Sequence, residues 1–197
     1  MPSLRNKRIL VTGGAGFIGS HLVDRLVAEE PSAVVVVDDL SLGRAHNLDA
    51  AKTKLGARLT LHVESAANLS RLRTLVMDHN IEVAFDLACI PLPHSLTNPV
   101  ENVDVNVGLA LALAELAREK RIQTLIRFSS SEAYGTAVRD VMNEDHPLEP
   151  MTPYAAAKLA GDVIVLSYIR TFGIDATILR PFNNYGPRQN KIGRAHV

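Results

Sequence analysis

Short apolar runs alternate with amphipathic segments along this chain, and the alternation predicts its secondary structure. Apolar, β-branched runs bounded by turn residues are typical of buried strands, whereas apolar positions three or four residues apart are typical of helices with one face on a core. Strands are predicted at 8–12, 33–37, 58–63, 82–87, 124–129 and 175–179. Helices are predicted at 17–28, 68–79, 100–120 and 154–172, with loops at 91–99 and 130–153.

Strands that alternate with helices in this way predict one α/β domain. We expect a doubly wound parallel sheet (Rossmann type) with helices on both faces, because the crossovers between parallel strands place helices on the sheet. The length of 197 residues is sufficient for one domain with a core, and an apolar content of 47% argues against disorder.

Composition and charge limit the binding partners and the cellular compartment that this chain is expected to have. Lysine and arginine total 21, as do aspartate and glutamate, so no net charge draws the chain to nucleic acid or to an anionic membrane. The apolar run at 9–11 is too short for a signal peptide, and no run has the length needed to span a bilayer. Cys89 is the only cysteine, which excludes an internal disulfide and a cysteine-based metal site. We therefore expect a cytoplasmic protein without a metal.

A glycine-rich turn, Thr12–Gly19, lies between the first predicted strand and the first predicted helix. Gly13 permits a tight turn, Gly16 lets the backbone approach a pyrophosphate, and Gly19 lets helix and strand pack closely. The N-terminus of the helix then presents N–H groups and the positive end of its dipole to phosphates. The turn therefore predicts a dinucleotide site.

An acidic residue ends the second predicted strand, at the spacing expected for a ribose contact. A carboxylate at Asp38 accepts both ribose hydroxyls and repels a 2′-phosphate, which favours NAD over NADP. Asp39 is a second candidate for this role. Arg44 leaves NADP as an alternative, although a surface position or a contact on the adenosine side is the simpler interpretation.

Tyr154 and Lys158 are four residues apart on a predicted helix, and such positions share a face. An ammonium beside the phenol is expected to lower the pKa of Tyr154 from about 10 and make it a proton acceptor near neutral pH. Upstream, the serines 129–131 and Glu132 lie at the carboxyl end of the fifth predicted strand, at the sheet edge where ligands bind. A serine hydroxyl there is expected to bond both Tyr154 and a substrate hydroxyl.

Together these motifs resemble the extended short-chain dehydrogenase/reductase family, specifically the NAD-dependent nucleotide-sugar epimerases and dehydratases. The resemblance covers residues 7–189 and is specific for the family but only weakly specific for the reaction. The motifs that carry it are 12–21 (TGGAGFIGSH), 38–41 (DDLS), 129–135 (SSSEAYG), the Tyr154/Lys158 pair and 180–188 (RPFNNYGPR).

The resemblance implies a role for each residue that matches a family motif. Tyr154 is the base, Ser130 its hydroxyl partner, and Lys158 its modulator and a ligand of the nicotinamide ribose. The proton of the sugar C4 hydroxyl is removed and a hydride passes to NAD⁺, which leaves a 4-keto sugar. Further implied contacts are those to the cofactor from Phe17, Ile18 and Pro181, and those to the substrate from Asn106, Ser131 and Asn183.

The resemblance leaves the step after the 4-keto sugar open. Glu132 lies where dehydratases carry the base that removes the C5 proton, which favours a nucleotide-sugar 4,6-dehydratase. Ser131 stands where the best-known dehydratases carry an aspartate acid, and a 4-epimerase, which needs no second acid, is the alternative. The Ser-Glu pair also resembles decarboxylases. A noncatalytic NAD-binding sensor ranks lower, because such proteins usually lose Tyr154 or Lys158.

Some positions depart from the family pattern. The segment 86–89 (DLAC) stands where members usually have His-x-Ala-Ala, and Ser65–Ala66 replaces the usual Asp-Ile beside the adenine. Cys89 is expected to be a small packing residue and His94 a surface residue. The family also leads us to expect a homodimer through the two long helices.

The end of the chain predicts a truncation. Residues 192–197 (IGRAHV) match an in-frame translation of a common sequencing-library adapter, and a sheet of this type normally continues beyond its sixth strand. We expect an NAD-binding domain over 1–191, a non-native tail over 192–197, and a gene that continued into a substrate domain that is largely missing here.

Overall fold

The computed structural model describes residues 3–189, and within them it confirms the α/β fold. Six strands form a parallel sheet of order β3-β2-β1-β4-β5-β6, the doubly wound order. The strands are β1 Arg8–Thr12, β2 Ala33–Asp38, β3 Leu59–Val63, β4 Val83–Asp86, β5 Thr124–Phe128 and β6 Asp175–Leu179. The α-helices are α1 Phe17–Leu26, α2 Asp49–Leu55, α3 Leu69–Asp78, α4 Leu92–Ser95, α5 Pro99–Arg118 and α6 Pro153–Phe172.

The chain divides into two compact units. Unit 1 runs to Ala88 and includes the segment that begins at Asn184, and unit 2 is Cys89–Asn183. In unit 1, β1 pairs in parallel with β2 and β4, and β2 pairs with β3. Residues 9–11 and 34–37 are at most 1% exposed, as expected for parallel strands that are covered on both faces.

Unit 2 pairs β5 with β6 in parallel and contains the two long helices α5 and α6. The Thr152 hydroxyl accepts the Ala155 N–H at 3.1 Å, and Pro153 occupies the first turn, so α6 begins one residue before Tyr154. Gly173, with φ +67°, ends the helix. These caps place Tyr154 and Lys158 on the first two turns of α6.

The structure differs from the predicted elements where segments are too short for a periodic pattern. The predicted loop at 91–99 contains α4, and α2 was not predicted. The helix predicted at 17–28 ends as an α-helix at Leu26 and continues as a 3₁₀ turn over Val27–Glu29. Another 3₁₀ turn, Ser131–Tyr134, lies in the predicted loop after β5.

Among residues 3–189, no helix combines the length and apolar character needed to cross a membrane. The predicted tail at 192–197 and the predicted domain boundary at 191 lie outside the described residues.

Candidate active site

The glycine turn of unit 1 has the close backbone approaches that the sequence predicts. Gly13 has φ +67°, a left-handed conformation that favours glycine, and its N–H donates to the Val37 carbonyl at 2.8 Å. A Cβ added at Gly19 would lie 2.1 Å from the Gly13 carbonyl oxygen. The turn therefore keeps its shape only with glycine at both positions.

The N-terminus of α1 fits the phosphates of a dinucleotide. Gly16 precedes the helix in an extended conformation, and within the described residues no side chain caps this end. Backbone N–H groups at an uncapped helix start favour an anion. Phe17 and Ile18, the predicted neighbours of the cofactor, are half-buried in the first turn.

Asp38 lies at the carboxyl end of β2, as predicted, and is 7% exposed. Its carboxylate accepts the N–H of Ala15 at 2.9 Å and that of Leu40 at 2.9 Å. Burial raises the pKa of Asp38, and these N–H groups oppose the shift. A carboxylate oxygen has more than one acceptor site, so these bonds leave capacity for ribose hydroxyls. Asp39 is exposed and accepts the N–H and hydroxyl of Ser41 at 2.9 and 2.6 Å, which closes its own turn.

Replacing Gly19 by alanine is expected to reduce dinucleotide affinity at least tenfold and to lower the midpoint of urea unfolding, because the new methyl group would overlap the Gly13 carbonyl. Gly108→Ala on α5 is the matched control, since a Cβ there meets nothing within 4 Å. It is expected to leave affinity unchanged and to stabilise the helix by about 0.5–1 kcal/mol. Calorimetric titration with NAD⁺ measures both variants, and equal affinities would contradict the steric argument.

Unit 2 brings the predicted catalytic residues Ser130, Glu132 and Tyr154 together. The Ser130 oxygen accepts the Glu132 N–H at 3.2 Å, so the hydroxyl proton of Ser130 is available to another acceptor, and this hydroxyl is close enough to Tyr154 to favour its phenolate. Tyr154 is half-buried, and the Glu132 carboxylate is close enough to act on its ionisation. The cluster can accept a proton from a hydroxyl group that is placed beside Tyr154.

The prediction that the pKa of Tyr154 is lowered is wrong. The pKa of Tyr154 is raised above its ordinary value, first by burial and then by the neighbouring Cys89 and Glu132, while the Ser130 hydroxyl opposes the shift. Burial disfavours the charged phenolate. Lys158 shares the helix face but is only 3% exposed, and its ammonium donates to the Phe128 carbonyl at 2.6 Å. The i,i+4 spacing therefore did not by itself determine which form of the phenol is favoured.

A pocket of about 300 Å³ opens within unit 2 beside the 3₁₀ turn. It contains three predicted residues, Ser131, Glu132 and Asn183, and Glu132 is exposed. Phe182 also lines the pocket and stacks on the buried Tyr134 ring, with centroids 6.3 Å apart. The remaining lining residues are Gly135, Thr136, Met142 and Met151. The pocket thus combines an apolar wall with hydroxyl, amide and carboxylate groups.

Two other predicted site residues, Asn106 and Pro181, form hydrogen bonds with the backbone of unit 2. Asn106 is 2% exposed, and both hydrogens of its amide are used, one by the Ile90 carbonyl at 3.0 Å and one by Asn102 at 3.1 Å. It is not among the residues that line the pocket. Pro181 accepts the Ser131 N–H at 3.1 Å. A substrate contact of Asn106 and a cofactor contact of Pro181 stay predictions.

Sequence reasoning missed a buried ionic network around Asp162 on α6. Asp162 is fully buried and accepts from Ser129 Oγ at 2.8 Å, Arg127 Nε at 3.4 Å and Arg180 Nε at 2.8 Å. Burial alone would lower the pKa of Arg180, but the bonds to Asp162 and Tyr134 raise it. The signal was present in the spacing, because Asp162 lies one helical turn after Lys158 on the same face.

The strand order, the glycine turn and the Ser130–Tyr154 pair define a Rossmann-type protein of the short-chain dehydrogenase/reductase class. A model of the GDP-mannose 4,6 dehydratase family matches residues 10–195, and the chain belongs to this family of NAD-dependent epimerases and dehydratases. The family prediction is therefore confirmed.

Three relatives show the range of activities in the family. The UDP-glucose 4-epimerase of Mycolicibacterium smegmatis is 40% identical over 96% of this chain and 60% of its own length. UDP-glucuronic acid decarboxylase 1 of Arabidopsis thaliana is 32% identical over 92% of this chain and 40% of its own length. The structure of dTDP-glucose 4,6-dehydratase from Streptomyces venezuelae with NAD bound has a TM-score of 0.83, with 31% identity over 94% of this chain and 58% of that one. The chain thus spans at most about 60% of the length of these relatives.

Proposed function

We propose that this chain is the NAD-binding part of a nucleotide-sugar 4,6-dehydratase that acts through a 4-keto intermediate. The observation that carries the proposal is the cluster in unit 2, where the Ser130 hydroxyl and the Glu132 carboxylate both lie close enough to Tyr154 to act on the ionisation of its phenol. The cofactor is NAD, which the glycine turn and Asp38 of unit 1 fit and which structures of relatives contain.

Each group of the cluster has one task in the proposed reaction. Tyr154 removes the proton of the C4 hydroxyl, while the Ser130 hydroxyl holds the oxygen in place. NAD⁺, when bound, supplies a reversible hydride acceptor, so the overall dehydration is redox-neutral. Glu132 removes the C5 proton, which the C4 ketone has acidified, and water leaves from C6. The pocket that contains Ser131 and Asn183 would bind the nucleotide sugar.

A nucleotide-sugar 4-epimerase is the second candidate, and Ser131 favours it. A hydroxyl at this pocket position is a poor acid for the departing C6 hydroxyl, whereas an epimerase needs no such acid. The 40% identity to a UDP-glucose 4-epimerase points the same way. Both candidates share the oxidation at C4, but only the dehydratase needs Glu132 as a base and an acid for the C6 hydroxyl.

Glu132→Gln in the full-length protein separates the two reactions. If the protein is a dehydratase, we expect the formation of 4-keto-6-deoxy sugar, measured by its alkaline absorbance, to fall about 10²–10⁴-fold, because the glutamine cannot accept the C5 proton. Glu144→Gln, in an exposed part of the same loop, is the matched control and is expected to retain full activity.

Interconversion of gluco and galacto forms without the keto chromophore, unchanged in Glu132→Gln, would contradict the dehydratase and support the epimerase. NAD binding without turnover of any nucleotide hexose would contradict both and support a sensor.

A further inference from the structure

The loop 135–152 joins the 3₁₀ turn after β5 to helix α6 and is closed at its base. Gly135 has φ +72°, and a Cβ added there would lie 2.0 Å from the Glu149 carbonyl oxygen. The Glu149 N–H donates to the Tyr134 carbonyl at 3.4 Å. Residues 136–148 therefore form an Ω-loop, whose ends are close together and whose shape depends on the side chains inside it.

His146 is the side chain inside this loop. It is 3% exposed, and it is the only buried residue of the fully described segment 136–149. The apolar residues Val138, Val141 and Leu148 are exposed, so they contribute little apolar burial that could hold the loop. The conformation of the loop thus depends on the contacts of one imidazole.

The hydrogen bonds of His146 fix its tautomer. The Val138 N–H donates to Nε2 at 3.1 Å, so Nε2 carries no proton. Nδ1 lies 2.9 Å from the Pro147 carbonyl oxygen, which can only accept, so Nδ1 carries the proton. The ring is therefore a neutral imidazole that joins the backbone of residue 138 to that of residue 147 across the loop.

The same ring attaches the loop to the buried part of unit 2. It packs edge-on against Tyr134, with the ring centroids 5.7 Å apart. The Arg180 guanidinium lies 5.0 Å from the centroid of the Tyr134 ring and donates to its hydroxyl at 3.3 Å. Arg180 also donates to the fully buried Asp162 at 2.8 Å. His146 thus packs on a ring that the ionic network of α6 holds in place.

The loop also forms part of the pocket of unit 2. Thr136 and Met142 line this pocket together with Ser131 and Glu132 from the 3₁₀ turn. Met142 lies within the segment that the imidazole bridges, and Thr136 lies just before that segment. Loss of the bridge would therefore move the pocket wall without removing any group of the catalytic cluster.

We propose that His146 is a positioning residue for the pocket: its Nε2 accepts the Val138 N–H and thereby holds the loop, with Thr136 and Met142, against the site of the nucleotide sugar. The identity of the ligand rests on the proposed function. The closure of the loop by His146 does not, and it can be tested without turnover.

Limited trypsin digestion of the full-length protein measures the closure of the loop, because Arg139 is an exposed cleavage site next to the bridged N–H. His146→Phe keeps a ring against Tyr134 but has no acceptor for the Val138 N–H. Its cleavage after Arg139, identified by mass spectrometry, is expected to be roughly fivefold faster, because the open form of the loop becomes more populated. His146→Gln can place its amide oxygen near the position of Nε2 and is expected to stay within about twofold of the unmodified protein.

His46→Phe is the matched control, since it makes the same change at an exposed histidine of unit 1. General destabilisation would speed cleavage at every site, so the measured quantity is the rate after Arg139 relative to the other sites. This ratio is expected to be unchanged in His46→Phe. An unchanged ratio in His146→Phe would mean that ring packing alone holds the loop and would overturn the proposal. A ratio in His146→Gln as high as that in His146→Phe would overturn it as well, because the acceptor would then not hold the loop.

Steady-state kinetics of the full-length protein test the effect on the pocket. His146→Phe is expected to raise the KM for the nucleotide sugar about fivefold and to change kcat by less than about twofold, because the loop residues bind the ligand and do not touch the reacting atoms. His146→Gln is expected to restore the KM. Faster cleavage without a change in KM, or a fall in kcat at constant KM, would overturn the role of His146 in positioning the pocket. Failure of the proposed function would appear instead as no turnover in the unmodified protein, with the difference in cleavage still present.

Discussion

Tyr154→Phe is expected to reduce turnover of a nucleotide hexose by the full-length protein about 10²–10⁴-fold, the usual contribution of a general base. The substitution removes the oxygen that takes the C4 proton and leaves the ring in place. It also leaves the glycine turn and Asp38 of unit 1 intact, so the affinity for NAD⁺ is expected to change less than threefold. Steady-state kinetics and calorimetric titration measure the two quantities.

Tyr168→Phe is the control for this substitution. It removes a hydroxyl from the same helix, but that hydroxyl bonds only the Glu115 carboxylate at 3.0 Å among the hydrogen bonds described for it. Its turnover is expected to equal that of the unmodified protein. Unchanged turnover in Tyr154→Phe would remove Tyr154 from the mechanism, for dehydration and epimerisation alike.

Asp162→Asn is expected to lower the free energy of unfolding by about 3–5 kcal/mol, the usual cost of breaking a buried ion pair from one side. The amide would face two guanidinium groups, Arg127 and Arg180, whose side chains are 2% and 14% exposed. With the amide oxygen at the position of Oδ2, Ser129 and Arg180 keep their acceptor and Arg127 Nε faces an NH₂ group, so the predicted loss comes from the lost charge together with one lost acceptor. Urea unfolding followed by circular dichroism measures the change.

Asp175→Asn provides the matched control, because it makes the same chemical change at an exposed site. Asp175 accepts only from the Thr124 hydroxyl, at 2.7 Å, among the bonds described for it. Removal of an exposed charge is expected to change stability by no more than about 0.5 kcal/mol. Equal losses in the two variants would contradict the view that burial gives the Asp162 network its importance.

The parts of the fold that sequence reasoning predicted have strong local patterns. The strand 33–37 is a β-branched run, and it was predicted to within one residue of β2. The short helices α2 and α4 were missed, because four to seven residues are too few for a 3.6-residue period to be recognised. Stability of such short helices comes from their surroundings rather than from their own residues.

The site residues likewise divide into features that local sequence patterns predicted and features that depend on tertiary contacts. Glycine spacing predicted the turn, because a missing Cβ has the same local effect in any protein of this fold. The spacing of Tyr154 and Lys158 predicted that they share a helix face, and they do. It did not predict that Lys158 would donate to the Phe128 carbonyl or that the pKa of Tyr154 would be raised.

The sequence by itself determined the strand–turn–helix unit for a dinucleotide, the acid at the end of the second strand and the family of the chain. Each depends on residues close together along the chain, where bond geometry and side-chain size decide the outcome. Only the tertiary structure decided that Asn106 holds the Ile90 peptide and that Asp162 binds two arginines. These contacts join residues 16 to 35 positions apart, and Asp162 is fully buried. Burial changes the free energy of a charge far more than the neighbouring residues along the chain do.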